Sequence, residues 1–206
     1  MAVITISRQF GAGGKTLGDM IAKKLNYTVL DSTIIHELSK ESNVSEDWLE
    51  SFEKDAGGTL SRFLSKIVSS SYMERLLGDS KGYITEDSYV EFLNNVIKRL
   101  AANDNVIVVG RGGQYILQDQ KDAYHFLLVA DHQDRVKFMM DNYKIDEDKA
   151  GQLVDDADKK RLNLYKYFKK QDYDQPYLYN MVFNTSKMAL DEVLTQICLL
   201  ITGKPV

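Results

Sequence analysis

A glycine-rich turn between a short apolar strand and a helix is the feature that most restricts the fold of this chain. The turn, residues 11–16 with the sequence Gly-Ala-Gly-Gly-Lys-Thr, follows a strand predicted at Ala2 to Ser7. The apolar residues of the next helix recur at the three- and four-residue spacing of one buried stripe, and a second strand is predicted at Tyr27 to Leu30. Because parallel strands need a helical crossover, this order predicts a βαβ unit whose ligand binds beyond the carboxyl ends of the strands.

The rest of the chain alternates between strand and helix patterns. Further strands are predicted at Val106–Val109, Phe126–Ala130 and Met181–Phe183. Further helices are predicted at Glu86–Leu100, His132–Asp141, Asp146–Lys169 and Leu190–Ile201. The alternation predicts a three-layer α/β/α fold around a central, mostly parallel five-stranded sheet.

The length of 206 residues favours one domain. We expect a single domain over 1–206, with a core built from 1–32 and 86–206 and a helical insertion at 33–85. The insertion is predicted because its helical pattern is less regular and is broken by glycines.

Composition excludes several classes of protein. Hydrophobic residues at 44% and charged residues at 27% are ordinary for a soluble globular chain. The single cysteine, Cys198, closes no disulfide within the chain, which favours a cytoplasmic location. The longest apolar tract, Val193 to Ile201, is too short to cross a membrane, and the net charge of -4 gives no overall attraction to nucleic acid.

The glycine-rich turn also predicts a phosphate site. Residues Gly11, Ala12, Gly13 and Gly14 would bring main-chain N–H groups and a helix N-terminus to a phosphate. In the phosphate-loop pattern, Lys15 reaches the β- and γ-phosphates and Thr16 ligates magnesium. The first glycine of that pattern is replaced by Gln9, so a plain strand-to-helix turn is the alternative.

The segment from Ile4 to Asp31 resembles the opening of bacterial cytidylate kinases, and more closely that of the cytidylate kinase-like family. Without gaps, the resemblance pairs Thr16 with the family's loop threonine and Asp31 with the aspartate that ends its second strand. In this register the loop lysine of true cytidylate kinases falls on Gly14, and Arg8 stands at their first loop glycine. The resemblance implies a P-loop kinase fold with a lid over about 145–175.

A second block, residues 106–113, is similar to the family's strand and Gly-Arg turn. The resemblance implies that Gly110 and Arg111 bind the acceptor, with the guanidinium on its phosphate, a task that suits a planar cationic fork. True cytidylate kinases follow this arginine with aspartate, where this chain has Gly112. An exposed turn arginine without a ligand is the alternative.

A third block, residues 155–161, resembles the lid segment of these kinases, with Asp158 and Arg161 matching its aspartate and final arginine. Val154 and Ala157 stand where true cytidylate kinases carry further arginines. A solvated charged helix is the alternative, and the lysines and aromatic residues that continue to Lys170 also fit a nucleic-acid surface.

Two weaker resemblances complete the site. Asp31 and Ser32 resemble the start of the acceptor-side motif, although Glu37 stands where the family has arginine; a helix-capping role for Asp31 is the alternative. Asn184 and Thr185 are similar to the loop that lines adenine in these kinases.

The resemblance implies transfer of the γ-phosphoryl group of ATP to a nucleoside monophosphate, CMP or dCMP first, with magnesium. Lys15 and Thr16 would hold the ATP phosphates and the metal, Arg111 the acceptor phosphate, Arg161 the transferring group, and Asp31 would orient the acceptor. Small nucleotides are the expected partners, and neither a membrane nor nucleic acid is expected. A P-loop kinase for another small acceptor and a non-catalytic, ATP-responsive nucleic-acid-binding module are the alternatives.

Overall fold

The computed structural model describes residues 2–31, 86–102, 105–171 and 173–204. The predicted insertion at 33–85 and the predicted site residue Ser32 lie outside the described residues. Five strands form one sheet in the order β2-β3-β1-β4-β5, and every pairing is parallel. Their bounds are β1 Val3–Arg8, β2 Thr28–Leu30, β3 Val106–Val109, β4 Ala123–Val129 and β5 Met181–Asn184. The predicted five-stranded α/β/α fold is confirmed.

The described helices lie on both faces of this sheet. Their bounds are α1 Gly14–Leu25, α2 Glu86–Ala101, α3 Gly113–Ile116, α4 His132–Tyr143, α5 Glu147–Tyr167, a short 3-10 helix Pro176–Leu178 and α6 Leu190–Thr202. Asp146 caps α5, because its carboxylate accepts a 2.8 Å hydrogen bond from the Lys149 amide. The four-residue helix α3 was not predicted, since four residues are too few to display a helical period.

Alternate side chains of β1 enter two different cores, as the twofold period of a strand requires. Ile4 and Ile6 pack against α1 and α6. Val3 packs against α2 and against the segment that directly follows α3. A smaller apolar cluster joins α4 to α5. The central strand is therefore held from both faces, and its carboxyl end has a defined position.

The site follows from this strand order. β1 leads into the glycine-rich turn, and its neighbour β3 leads into the Gly-Arg turn, so both turns lie at the same edge of the sheet. The connection from β1 runs toward β2 while the connection from β3 returns toward β4, which places β1 at the reversal where ligands of such sheets bind. Within the described ranges, no helix is both long and apolar enough to cross a membrane.

Shortening Ile97 to alanine tests the packing of α2. Ile97 is fully buried between α2 and the sheet, so Ile97→Ala is expected to lower the free energy of unfolding by about 2–5 kcal/mol in chemical denaturation. The exposed neighbour is the control, and Lys98→Ala is expected to change this free energy by less than about 0.5 kcal/mol. Equal effects of the two substitutions would contradict the packing.

Candidate active site

The glycine-rich turn leaves a set of main-chain donors open at the start of α1. Gly13 caps the helix in a left-handed conformation, with φ of 83°, and the first helical hydrogen bond runs from Leu17 N to the Gly13 carbonyl over 2.9 Å. Within the described part of the chain, the amides of residues 13–16 donate to no protein acceptor. Four N–H groups at a helix N-terminus therefore lack partners among the described residues, and such open amides are an arrangement that binds phosphate.

Arg135, on α4, packs against this turn. The sequence did not predict this contact. Arg135 is only 5% exposed, donates to the Phe10 carbonyl over 3.2 Å, and forms a 2.7 Å ion pair with Asp158 on α5. A Cβ atom on Gly11 would lie 2.9 Å from the Arg135 Cβ. Asp158, a predicted nucleotide contact, thus lies beside the turn in a structural ion pair, and its nucleotide contact stays a prediction.

Lys15 is directed toward the end of β2. Its Nζ donates to the Asp31 carboxylate over 2.8 Å and lies 3.9 Å from Asp19, while the side chain is 64% exposed. The hydrogen bond that Lys15 donates to Asp31 raises the pKa of Lys15, so the ammonium group stays charged at neutral pH. The predicted residues Lys15 and Asp31 are therefore brought together, and each is engaged by the other.

The turn after β3 holds Arg111 in an unusual backbone conformation. Gly110, Arg111 and Gly112 have φ of 77°, 56° and 71°, so three successive residues are left-handed. A non-glycine residue at positive φ carries strain, which is tolerated here because the Gly110 amide is tied to the Ile6 carbonyl over 2.9 Å. The result is an arginine that is only 9% exposed at the carboxyl end of β3.

Arg161 is fixed on α5 by a bidentate ion pair. Its Nη1 lies 2.6 Å from one oxygen of Asp174, its Nη2 contacts the other oxygen, and its guanidinium lies 4.9 Å above the ring of Tyr165. Burial lowers the pKa of Arg161, but Tyr165 and the Asp174 carboxylate raise it more, so the net shift is upward. Arg161 is a permanent cation with a fixed orientation.

The Arg8 guanidinium lies within electrostatic reach of two other arginines. Burial, then Arg111 and then Arg161 lower the pKa of Arg8, whereas Tyr165 and Asp31 raise it, and the balance places it at about 10. Arg8 ends β1, Arg111 follows β3, and Arg161 comes from α5. The predicted residues Arg111 and Arg161 are thus close enough to interact electrostatically with the same neighbour, beside the open amides of α1.

The model of the cytidylate kinase-like family matches residues 3–187, which is most of the chain. The protein belongs to the cytidylate kinase-like family. The resemblance to this family is confirmed, and so is the prediction of an enzyme of the nucleotide kinase class.

Relatives and solved structures agree with this membership. A cytidylate kinase from Thermoplasma acidophilum is 26% identical over 94% of this chain and 89% of its own length. An uncharacterised protein from Eubacterium ventriosum has the same fold with a TM-score of 0.69, 16% identity, and coverage of 99% of this chain and 100% of its own. Shikimate kinase from Acinetobacter baumannii, solved with shikimate, has a TM-score of 0.51 and 14% identity, covering 98% of this chain and 94% of its own.

The burial of Val154 explains why this member of the cytidylate kinase-like family lacks an arginine at this position. The Val154 side chain is fully buried in the apolar cluster between α4 and α5. An arginine there would lose its hydration without gaining a partner from that cluster, which consists of apolar residues. The position serves the packing of α5 in this chain.

Phe168 explains why this member has glycine at position 112. A Cβ atom on Gly112 would lie 2.5 Å from the Phe168 Cε2. The Phe168 ring belongs to an aromatic group in which Tyr115 lies 5.9 Å from Phe168 and 5.4 Å from Tyr165, measured between ring centroids. The end of α5 therefore packs directly on the Gly-Arg turn and fills the place of the aspartate of true cytidylate kinases.

The loop after β5 contacts the glycine-rich turn. The Thr185 hydroxyl donates to the Ala12 carbonyl over 3.2 Å, whereas the Asn184 side chain accepts from the Ser186 amide over 3.0 Å. Both predicted residues thus lie next to the turn or shape the loop beside it. Their contact with adenine stays a prediction.

Introducing at position 112 the aspartate of true cytidylate kinases tests the contact with Phe168. Gly112→Asp is expected to lower the free energy of unfolding by about 2–4 kcal/mol, because it adds overpacking to backbone strain at positive φ. Phe168→Ala alone removes aromatic packing. The double variant is expected to be more stable than the sum of the two single effects, by at least about 1 kcal/mol in chemical denaturation. Additive effects would contradict the contact.

Proposed function

We propose that this protein transfers the γ-phosphoryl group of ATP to the phosphate of a nucleoside monophosphate, with the cytidylate class as the first candidate. One observation carries the proposal: the start of α1, whose first amides have no acceptor among the described residues, and the turn that holds Arg111 both lie against the side chain of Arg8 at the end of β1. Phosphoryl transfer needs positioning and neutralisation of spreading charge more than covalent help, and this arrangement supplies both. The relationship to a cytidylate kinase supports the choice of acceptor.

The residues present fit ATP and magnesium. The amides of residues 13–16 have no protein acceptor among the described residues, and they match the negative charge of a triphosphate. Thr16, in the first turn of α1, would ligate Mg²⁺ through its hydroxyl. Mg²⁺, when bound, neutralises charge that develops on the phosphate oxygens. Thr185 connects the loop after β5 to the same turn, where we propose that Asn184 and Thr185 line the adenine.

The acceptor side would be formed by the end of β2 and the turn after β3. Arg111 is proposed to bind the acceptor phosphate together with Gly110, and Arg161 to contact the transferring group. Asp31 orients the acceptor in this proposal, and its carboxylate is held at the end of β2 by the 2.8 Å hydrogen bond that it accepts from Lys15. The buried position of Arg111 disfavours the alternative of an exposed turn arginine.

A second candidate is phosphoryl transfer to another small acceptor, such as a sugar or cofactor precursor. Phe168 fills the space beside Gly112, so an aromatic surface replaces one polar contact of the cytidylate kinase pattern. This replacement favours the second candidate. The nucleic-acid module is less favoured. Tyr165 is buried and Lys170 lies 5.3 Å above the Tyr115 ring, so these aromatic residues are occupied by packing within the chain.

A panel assay tests the proposed function. The intact enzyme is incubated with Mg-ATP and, separately, CMP, dCMP, UMP, AMP and GMP, and nucleoside diphosphate formation is measured. The proposal expects the highest kcat/KM for CMP or dCMP. Binding of ATP without consumption of any monophosphate would contradict it, and consumption driven only by a non-nucleotide acceptor would favour the second candidate.

Removing Arg161 tests the proposed contact with the transferring group. Arg161→Ala is expected to lower kcat by about 10²–10⁴-fold, the range for deleting one preorganised charge. The exposed neighbour on α5 is the control, and Lys160→Ala is expected to keep kcat within about twofold. Arg161→Lys keeps a charge opposite Asp174 and separates loss of catalysis from loss of folding. A wild-type kcat in Arg161→Ala would contradict the assigned role.

A further inference from the structure

Relative to the register described above, the large and the small residue are exchanged between Arg8, which ends β1, and Gly14, which begins α1. That register expects a glycine at position 8 and the loop lysine at position 14, and this chain has Arg8 and Gly14. The two positions share one space, because a Cβ atom on Gly14 would lie 2.7 Å from the Arg8 Cγ. A long side chain at one position therefore requires glycine at the other.

Arg8 extends from this space toward the turn after β3. A Cβ atom on Gly110 would lie 2.1 Å from the Arg8 Nη1, so the guanidinium passes directly over a second glycine. The side chain thus starts at the glycine-rich turn and ends beside Arg111, spanning the proposed donor and acceptor sides. Neither glycine can gain a side chain while Arg8 keeps this position.

The guanidinium of Arg8 has neighbours that repel it. Burial, Arg111 and Arg161 together disfavour its charge more than Tyr165 and Asp31 favour it. Arg8 forms no hydrogen bond or ion pair with the part of the chain that the structure describes. Asp174 is held by Arg161, and Lys15 donates to Asp31. A partly buried cation beside two others is unfavourable for the folded chain by itself, and an anion between them removes that cost.

Lys15 is poorly placed to bind an anion between the two turns. It is largely exposed, and its ammonium group is engaged by Asp31 at the end of β2. The cation that lies between the two turns is Arg8, which leaves Lys15 to hold Asp31.

We propose that Arg8 takes the role of the loop lysine: its guanidinium, with Arg111 and Arg161, binds the phosphoryl group during transfer. The inference rests on the proposed function and deepens it. As the bond from phosphorus to the bridging oxygen of ATP breaks, a bond to an acceptor phosphate oxygen forms. Arg8 exchanges no atoms in this step and neutralises the charge on the oxygens of the transferred group.

The first test measures Tm without and with anions. Arg8→Met removes the charge and keeps most of the chain length, and Lys15→Met is the matched change at the other cation. Without ligand, Arg8→Met is expected to have the same Tm as the wild type or a higher one, because it removes a crowded cation. A clear fall in the ligand-free Tm would mean that Arg8 holds the fold, and it would overturn the proposal.

Anion binding distinguishes the two cations directly. The ligand is Mg-ATP or pyrophosphate, each at about a hundredfold excess over its Kd for the wild type, and the same concentration is used for every variant. It is expected to raise the Tm of the wild type by about 5 °C or more. Arg8→Met is expected to lose most of this rise, Arg8→Lys to keep part of it, and Lys15→Met to keep most of it. The reverse pattern, in which Lys15→Met loses the rise and Arg8→Met keeps it, would overturn the proposal.

Turnover provides the second test, with an arginine outside the site as control. Arg8→Met is expected to lower kcat by about 10²–10⁴-fold, and Arg8→Lys is expected to recover at least about tenfold of this loss. Arg99→Met, at the exposed end of α2, is expected to keep the wild-type kcat. Unchanged kcat in Arg8→Met would overturn the proposal. If the wild type phosphorylates no monophosphate, the proposed function fails, while the Tm measurements still decide whether Arg8 binds phosphate.

Discussion

Repulsion among like charges is the constraint on which the candidate site depends. Arg8, Arg111 and Arg161 come from three separate elements and meet beyond the carboxyl ends of β1 and β3. Arg161 is paired with both oxygens of Asp174, whereas Arg8 forms no ion pair with the described part of the chain. A fold tolerates such an arrangement only where rigid packing holds the cations in position, and here the sheet and α5 provide that packing.

Glycine positions around the site are explained by the volume of their neighbours. Gly14 and Gly110 leave room for Arg8, and Gly112 leaves room for Phe168. The departures from the cytidylate kinase pattern at Gly14 and Gly112 therefore each have a side chain from another part of the chain in the space beside the glycine. At Val154, where true cytidylate kinases carry arginine, this chain has a buried side chain in the apolar cluster between α4 and α5. The departures form a consistent alternative packing of the site.

The sequence predicted the five strands because their residues are apolar, β-branched and bounded by turn residues. β3, for example, is four consecutive apolar residues and was predicted with its observed bounds, Val106–Val109. β4 was predicted to start at Phe126 but begins at Ala123, since its first residues are only partly buried and lack an apolar pattern. The site turns were found through their glycines and arginines. Arg135 was not, because a buried arginine on a helix looks like any solvated charge until its ion pair with Asp158 is known.

By itself, the sequence determined the family, the order of strands and helices, and the glycine-rich and Gly-Arg turns, because these depend on residues that are neighbours along the chain. Lys15 was interpreted as the phosphate-binding cation for the same reason, since it stands next to Thr16 in the motif. Only the tertiary structure decided which side chains share a space: Arg8 with Gly14 and Gly110, Lys15 with Asp31, and Phe168 with Gly112. The physical reason is that parallel pairing of β1 with β3 brings together turns about a hundred residues apart in the chain, and no local pattern records the volumes and charges that then meet.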